Sequence, residues 1–160
     1  MYFNESAAPS WSSVMVTRHL PEELSGLEKL CKNLWWCWND NAKSLFKTVD
    51  ADLWHRSGHN PMEILDKVSL KRYKVLAKDQ SFLNSLAAVM QEFDSYMALK
   101  AERTSPSIGY FCMEYGLDSS LKIYSGGLGI LAGDYLKESS DMNVNLVAVG
   151  LFYRYGYFTQ

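Results

Sequence analysis

The amino-acid sequence predicts an α/β protein, with a helical N-terminal segment at residues 1–103 followed by the start of a parallel βαβ unit at residues 104–160. Two observations predict this division. Up to about Arg103, apolar residues recur at the three- and four-residue spacing of amphipathic helices. After the sequence TSPS, short β-rich apolar runs flank a glycine-rich loop and one more helical pattern. We therefore predict a boundary after Arg103.

The first helical pattern covers LPEELSGLEKLCKNLWWCWND. Pro21, followed by two glutamates, favours a first helical turn, because proline lacks the N–H that this turn leaves unpaired and acids suit its positive end. We expect Trp35 and Trp38 to pack in a core and Trp36, on another face, to be the better candidate for an exposed sugar contact. The predicted core positions are Leu24, Leu27, Cys31, Leu34, Trp35 and Trp38.

Four further patterns complete the helical segment. NAKSLFKTV predicts one helix by its spacing. In HNPMEILDKV, Asn60 is a predicted N-cap, with Pro61 at the first helical position and Glu63 three residues after the cap. Ser69 opens the next predicted helix, and QSFLNSLAAVMQEFDSYMALKAER predicts a long final one. The predicted apolar positions are Leu45, Phe46 and Val49, then Leu70, Tyr73 and Leu76, and finally Phe82, Leu86, Val89, Phe93 and Tyr96.

The second part of the chain reads as strand, glycine loop, helix and strand. IGYFCM and NLVAVGLFY are short apolar runs of the kind buried on both faces of a parallel sheet. A helix between them is predicted to pack on that sheet through Leu128, Leu131, Ala132 and Leu136. This order predicts a βαβ crossover, which is right-handed by default.

Composition and charge exclude several classes of function. Apolar residues make up 48% of the chain and charged residues 21%, so a folded domain is expected rather than disorder. A formal net charge of −2 argues against nucleic acid as the main partner. The longest apolar run is too short to span a bilayer, and the N-terminus lacks the pattern of a secretory signal. We therefore expect a cytoplasmic protein without a membrane partner.

The cysteines and histidines lack the paired spacing of a zinc site. We expect reduced, structural thiols and no metal. His55 and His59 have the separation of a helical metal pair, but Gly58 and Pro61 make a continuous helix there improbable, so a loop-ordering role is predicted. The residues considered were Cys31, Cys37, Cys112, His19, His55 and His59.

The glycine-rich stretch SGGLG directly precedes the last predicted helix. N–H groups at a helix N-terminus attract anions, and glycine lets a ligand approach the backbone closely. The stretch matches neither the Rossmann spacing nor a P-loop. A tight turn with a glycine needed for helix–strand packing explains it equally well. The motif alone leaves both interpretations open.

Longer motifs resemble one known family, the α-glucan (glycogen or starch) phosphorylases, in the bacterial and archaeal branch that carries an extra N-terminal helical segment. The phosphorylase-like motifs are YFCMEYGL and IYSGGLGILAGDYLKESSDMNVNLVAVGLFYRYGYFTQ; those of the preceding segment are NLWWCWNDNAKSLF, LWHRSGHNPMEIL and FLNSLAAVMQEFDSYM. The resemblance implies the first βαβ unit of a Rossmann-like GT-B domain, incomplete in this chain. It also implies a hexosyltransferase that cleaves α-1,4-glucan with inorganic phosphate to give α-glucose 1-phosphate.

The resemblance also implies roles for particular residues. The glycine loop would contact the sugar and phosphate of the substrate and stabilise charge as the glycosidic bond breaks. Glu114 would lie near the cleft, or would cap or brace the fold. The residues carried over are Ser125, Gly126, Gly127, Leu128 and Gly129 for substrate and phosphate binding, and Glu114, Tyr153, Arg154 and Tyr155 for the cleft.

The resemblance further implies pyridoxal phosphate, bound to a lysine, and a homo-oligomer for the full-length enzyme. No lysine of these 160 residues has the context of the cofactor lysine, so we assign no catalytic residue and expect no activity from this chain alone. Tyr135 stands where family members usually have histidine, which leaves a polar role there unsupported.

The sequence leaves two other functions open. A nucleotide-sugar GT-B glycosyltransferase, such as glycogen or starch synthase, also carries GGLG, normally within KTGGLG. Tyr124 and Ser125 precede the glycines here, which favours a phosphorylase. The other rival is a non-catalytic helical module that binds glucan or a partner through its tryptophans.

Overall fold

The computed structural model describes residues 20–99 and 108–153. Helices fill the first range, and the second holds two strands with one helix between them. In chain order the elements are α1 Ser25–Cys31, α2 Asp40–Val49, α3 Ala51–Arg56, α4 Pro61–Lys67, α5 Leu70–Leu76, α6 Gln80–Ala98, β1 Ile108–Phe111, α7 Gly127–Asp141 and β2 Leu146–Val149, with 3₁₀ turns at Glu22–Leu24 and Leu34–Trp38.

Side-chain caps explain where several of these helices begin. The Asn60 side chain accepts hydrogen bonds from the backbone N–H groups of Met62 and Glu63 at 3.1 and 3.3 Å, so the predicted N-cap of α4 is confirmed. Ser69 accepts from the N–H of Arg72 at 3.2 Å, which confirms the predicted start of α5. Each cap satisfies a donor that the first helical turn leaves unpaired.

The first predicted helix is interrupted. α1 ends at Cys31, and Asn33 then caps the 3₁₀ turn by accepting from the N–H of Trp35 at 2.9 Å. Because a 3₁₀ helix has about three residues per turn, the faces predicted for an α-helix do not apply there. Trp36 is 3% exposed, so the prediction of an exposed sugar contact is wrong, and Leu34, predicted to be buried, is exposed.

Trp36 is instead an interior residue of the helical segment. Its ring meets those of Phe46 and Trp54 edge-on, with centroids 6.3 and 6.4 Å apart. The core around it draws on every helix from α1 to α6, and all its buried members lie between residues 24 and 93. Of the predicted stripe in α6, the first four residues are buried and Tyr96 is partly buried against the core.

β1 and β2 are parallel neighbours, as the sequence predicts. Their register pairs Ile108 with Leu146 and Phe111 with Val149. The prediction of burial on both faces is wrong for the described residues, where the sheet has two strands and Phe111 is 75% exposed.

The buried side of α7 consists mainly of small residues. Ala132 is fully buried as predicted, and Leu136 is half-buried. Leu128 and Leu131 are exposed, so their predicted packing on the sheet is wrong. The buried positions of α7 are Gly129, Ala132, Gly133 and Ser139, which let the helix backbone come close to its neighbours.

The cysteines and the loop after α3, which holds His59, were considered as metal ligands in the sequence. Cys31, Cys37 and Cys112 are free thiols. α3 ends at Arg56, and Gly58 and His59 adopt positive φ angles of 62° and 69°, so the absence of a continuous helix is confirmed. Across the two described ranges, no group of three or more His, Cys, Asp or Glu side chains is arranged to hold a metal ion.

None of the helices described here combines the length and the apolar character that crossing a bilayer requires.

Candidate functional site

The candidate site lies where β1 and β2 end. Glu114 follows β1 by three residues and Tyr153 follows β2 by four, so both come after the carboxyl ends of adjacent parallel strands. Ligands of open α/β sheets bind at this end of the strands. The segment from Cys112 to Gly126 connects β1 to α7, and its last residues form the glycine loop. The topology thus brings the glycine loop, Glu114 and Tyr153 to one edge.

Glu114 braces the glycine loop directly. Its Oε2 accepts hydrogen bonds from the backbone N–H groups of Ser125 at 2.6 Å and Gly126 at 3.3 Å. Bonds from backbone N–H to a carboxylate are charge-assisted and strong. The sequence left two roles open for Glu114, lying near the ligand cleft and capping or bracing the fold. These hydrogen bonds support the bracing role, and contact with a ligand stays a prediction.

The glycines of this region fall into two groups. A Cβ atom on Gly133 would lie 2.2 Å from the carbonyl oxygen of Gly116, and one on Gly129 would lie 2.6 Å from Cβ of Tyr124. Packing therefore requires these two glycines. A Cβ on Gly126 or Gly127 would meet nothing within 4 Å, so packing does not explain them. The structure supports the packing interpretation at Gly129 and Gly133. At Gly126 and Gly127 the space beside the backbone is open.

That open backbone lies at the start of α7. Gly126 is the N-cap, with an extended φ of −153°, and its carbonyl accepts the first helical bond from Ile130 at 3.1 Å. The N–H groups of Gly127, Leu128 and Gly129 belong to the first turn, which has no acceptors within the helix. They lie at the positive end of the helix dipole. Chemically, the arrangement can donate hydrogen bonds to an anion or a sugar hydroxyl at the surface.

The other predicted site residues are less well defined by contacts. The Tyr153 side chain is exposed, with its hydroxyl 3.5 Å from the carbonyl oxygen of Met113. Arg154 and Tyr155 lie outside the described residues. Tyr135 is exposed, and its ring packs edge-on against Tyr110 at 5.3 Å.

One residue of the site was missed by the sequence analysis. The buried Tyr115 donates from its hydroxyl to the carbonyl of Tyr110 at 2.6 Å, and that hydroxyl also lies 3.3 Å from the carbonyl of Val149. It thereby ties the end of β1 to the end of β2, beside Glu114. No spacing rule identifies such a residue, because both acceptors are backbone atoms that only the fold brings together.

The two lysines on the segments beside the glycine loop do not fit as a covalent site for pyridoxal phosphate. Such a site needs a lysine amine in a ligand cavity. Lys122, in the segment before the glycine loop, is exposed, and Lys137 lies 3.7 Å from Asp134 as part of a surface ion pair.

A cavity of about 530 Å³ lies elsewhere, between α2 and α6. Its wall includes Asn41, Thr48, Asp79 and Glu92, none of which belongs to the glycine loop or the strand ends. A smaller, more open hollow of about 330 Å³ does lie at the strand ends, where its lining includes Cys112, Met113 and Gly150.

Comparisons with known proteins match this chain to one family and to several phosphorylases. Residues 20–121 match the DUF3417 family, described as a protein of unknown function. The chain is 41% identical over 157 residues to the glycogen phosphorylase of Mycobacterium tuberculosis, covering 91% of this chain and 18% of that protein. It is 43% identical over 148 residues to the maltodextrin phosphorylase of Thermococcus litoralis, covering 88% and 18%.

A third relative is the glycogen phosphorylase of Aquifex aeolicus, 44% identical over 138 residues, which are 84% of this chain and 20% of that protein. The chain thus spans about a fifth of the length of these curated relatives. No solved structure matches it significantly. The similarity confirms the resemblance inferred from the motifs.

Proposed function

Because the chain belongs to the DUF3417 family, and on the strength of its similarity to proteins named glycogen and maltodextrin phosphorylase, we propose that it is the N-terminal part of an α-glucan phosphorylase. The observation that carries the proposal is identity of 41–44% over most of the chain to relatives with that name. The whole protein would transfer the terminal glucosyl unit of an α-1,4-glucan to inorganic phosphate. The products would be α-glucose 1-phosphate and a glucan shortened by one unit.

In this proposal the glycine loop contacts the sugar and phosphate of the substrate. The open space beside Gly126 and Gly127 supports it, since a phosphate oxygen can approach the N–H groups of Gly127 and Leu128 there without meeting a Cβ of either glycine. Glu114 keeps the loop in place by occupying the N–H groups of Ser125 and Gly126, which directs a ligand to the N–H groups that follow. Donors held in place before the reaction stabilise charge that develops in the transition state.

The remaining features of the whole protein belong to the same proposal. They are the GT-B architecture, a domain boundary near residues 103 and 104, a cytoplasmic location and a homo-oligomer. Pyridoxal phosphate is also part of it, as a group whose phosphate supplies proton transfer in phosphorylases. Its lysine would lie outside this chain, so the chain contributes substrate contacts and no covalent link to the cofactor.

The rival interpretations lose support. The helical module was expected to bind glucan or a partner through its tryptophans, and Trp36, the better candidate for an exposed contact, is buried against Phe46 and Trp54. No observation favours a nucleotide-sugar transferase, and Tyr124 and Ser125 still stand where that family has lysine and threonine.

The natural gene product tests the proposal. We expect it to release glucose 1-phosphate from maltodextrin in the presence of inorganic phosphate, and to keep a cofactor mass on the protein after borohydride reduction. Absence of glucose 1-phosphate, together with glucan extension from a nucleotide sugar, would assign the protein to the rival transferase. Absence of both activities would refute an enzymatic role for it.

A further inference from the structure

α7 ends in a residue that is unexpected on electrostatic grounds. Asp141 is its last residue, at the negative end of the helix dipole, and the last turn holds no basic side chain to offset it. The Asp141 carboxylate instead has two donors from the helical segment. Its Oδ1 accepts from the indole Nε1–H of Trp38 at 3.1 Å and from the Tyr96 hydroxyl at 2.8 Å.

Further contacts surround this pair of donors. The Tyr96 hydroxyl also lies 2.8 Å from Oγ of Ser140, the residue before Asp141. Two residues after α7, the side-chain amide of Asn143 donates to the carbonyl of Leu99 at 2.8 Å, from a backbone with a φ of 53°. We call the group formed by Trp38, Tyr96, Ser140 and Asp141 the Asp141 junction.

The junction joins two parts of the chain that share little apolar packing. The buried core cluster includes residues 24 to 93 and no residue of α7. Trp38 and Tyr96 are partly buried against that core, so their donor groups are held in place from the helical side. Polar contacts of defined geometry therefore determine how the end of α7 docks on the helical segment.

We propose that the helical segment is a positioning element, which holds α7 through the Asp141 junction and thereby orients the glycine loop at the other end of the same helix. α7 has 15 residues and is about 22 Å long, so it acts as one stiff rod between the junction and the loop. Glu114 holds the loop end and the junction holds the far end. This role goes beyond the proposed function and does not depend on any catalytic activity.

Hydrogen exchange of the purified chain, read by mass spectrometry, tests the proposal. Asp141→Ala removes the acceptor, and Glu138→Ala removes an exposed carboxylate one turn earlier on the same helix as the matched control. We expect amides of residues 127–141 to exchange roughly tenfold faster in Asp141→Ala, since two bonds to a charged group are lost. Amides of α2 should be unchanged, and Glu138→Ala should behave as the parent chain.

A second pair of variants tests the donors. Tyr96→Phe deletes the hydroxyl of the junction, whereas Tyr135→Phe deletes an exposed hydroxyl on α7 and keeps its ring. We expect faster exchange in α7 for Tyr96→Phe alone. Asp141→Asn keeps a side-chain carbonyl as acceptor, and we expect it to restore most of the slow exchange that Asp141→Ala loses.

Three outcomes would overturn the proposal. They are unchanged exchange of α7 in Asp141→Ala, an equal increase in Glu138→Ala, and an increase shared by α2 that reports global unfolding. Failure of the phosphorylase proposal would appear separately, as missing glucose 1-phosphate with the exchange pattern intact.

Discussion

At the scale of single residues, the glycines at the start of α7 differ in what they tolerate. Gly127 has open space where a Cβ would stand and no positive φ angle, whereas a Cβ on Gly133 would collide with the Gly116 backbone. Neighbouring glycines of one motif can therefore be separated into those that the fold needs and those whose bare backbone faces solvent. Only the second kind leaves open space beside its Cα for a ligand.

We expect Gly127→Ala and Gly133→Ala to have opposite effects on stability. Gly127→Ala should raise the free energy of unfolding by about 0.5 kcal/mol, because alanine restricts the unfolded chain without strain here. Gly133→Ala should lower it by about 1–3 kcal/mol through overpacking against backbone. Urea denaturation measures both. Under the proposed function, Gly127→Ala in the natural gene product should still reduce phosphorolysis, and full activity would contradict ligand contact at this loop.

The Cys37 thiol predicts a pH dependence of stability. Burial raises its pKa from the usual 9.0 to about 11. The folded chain therefore binds the thiol proton more tightly than the unfolded chain. The resulting stabilisation is complete below pH 9 and is lost as pH rises from 9 towards 11.

We expect the free energy of unfolding to fall more steeply between pH 9 and 11 in the parent chain than in Cys37→Ala. Cys112→Ala, at a half-buried position, is the control and should keep the parent slope. Parallel slopes in all three chains would show that the Cys37 thiol does not contribute.

At the scale of elements, the caps define the short helices. α4 has seven residues, too few for a stable helix on its own, so its start depends on the Asn60 side chain. The same dependence applies to α5 and Ser69.

Asn60→Ala should lower the free energy of unfolding by about 1 kcal/mol, since two backbone donors lose their acceptor. Asn84→Ala is the control, because Asn84 is exposed within α6, where alanine is the better helix former. Thermal or urea denaturation compares the two. Equal stability of both variants would mean that α4 does not need its cap.

The features that could be predicted from the sequence are those that depend on residues close together in the chain. Asn60 and Ser69 cap as expected because a cap acts within three residues, and the stripe in α6 repeats over about four turns. The break at Asn33 was missed, since Leu34 to Trp38 suit an α-helical face as well as a 3₁₀ turn. Contacts of Glu114, Tyr115 and Asp141 join distant residues, so spacing alone could not reveal them.

At the scale of the whole molecule, apolar stability is unevenly distributed. Apart from Tyr115 and Ala132, the buried apolar residues of the described ranges lie between residues 24 and 93. The two-stranded sheet, by contrast, exposes Phe111, Val147 and Val149. Two paired strands are marginal by themselves, because too little surface is removed from water.

We therefore expect a fragment of residues 1–103 to fold alone, with helical circular dichroism and a cooperative thermal transition. A fragment of residues 104–160 should show no cooperative transition. Loss of the transition in the first fragment would show that the second part of the chain stabilises the helical core, and would move the predicted boundary.

The confinement of the core to residues 24–93 has a consequence for synthesis on the ribosome. All the residues of this core have been synthesised once residue 93 is added, whereas β1 can pair only after residues 112–145 and then β2 have followed it. We expect the nascent helical segment to become protease-resistant before β2 has left the exit tunnel. Trp38 and Tyr96 would then be in position before Asp141 emerges, so α7 would dock on a surface that has already folded.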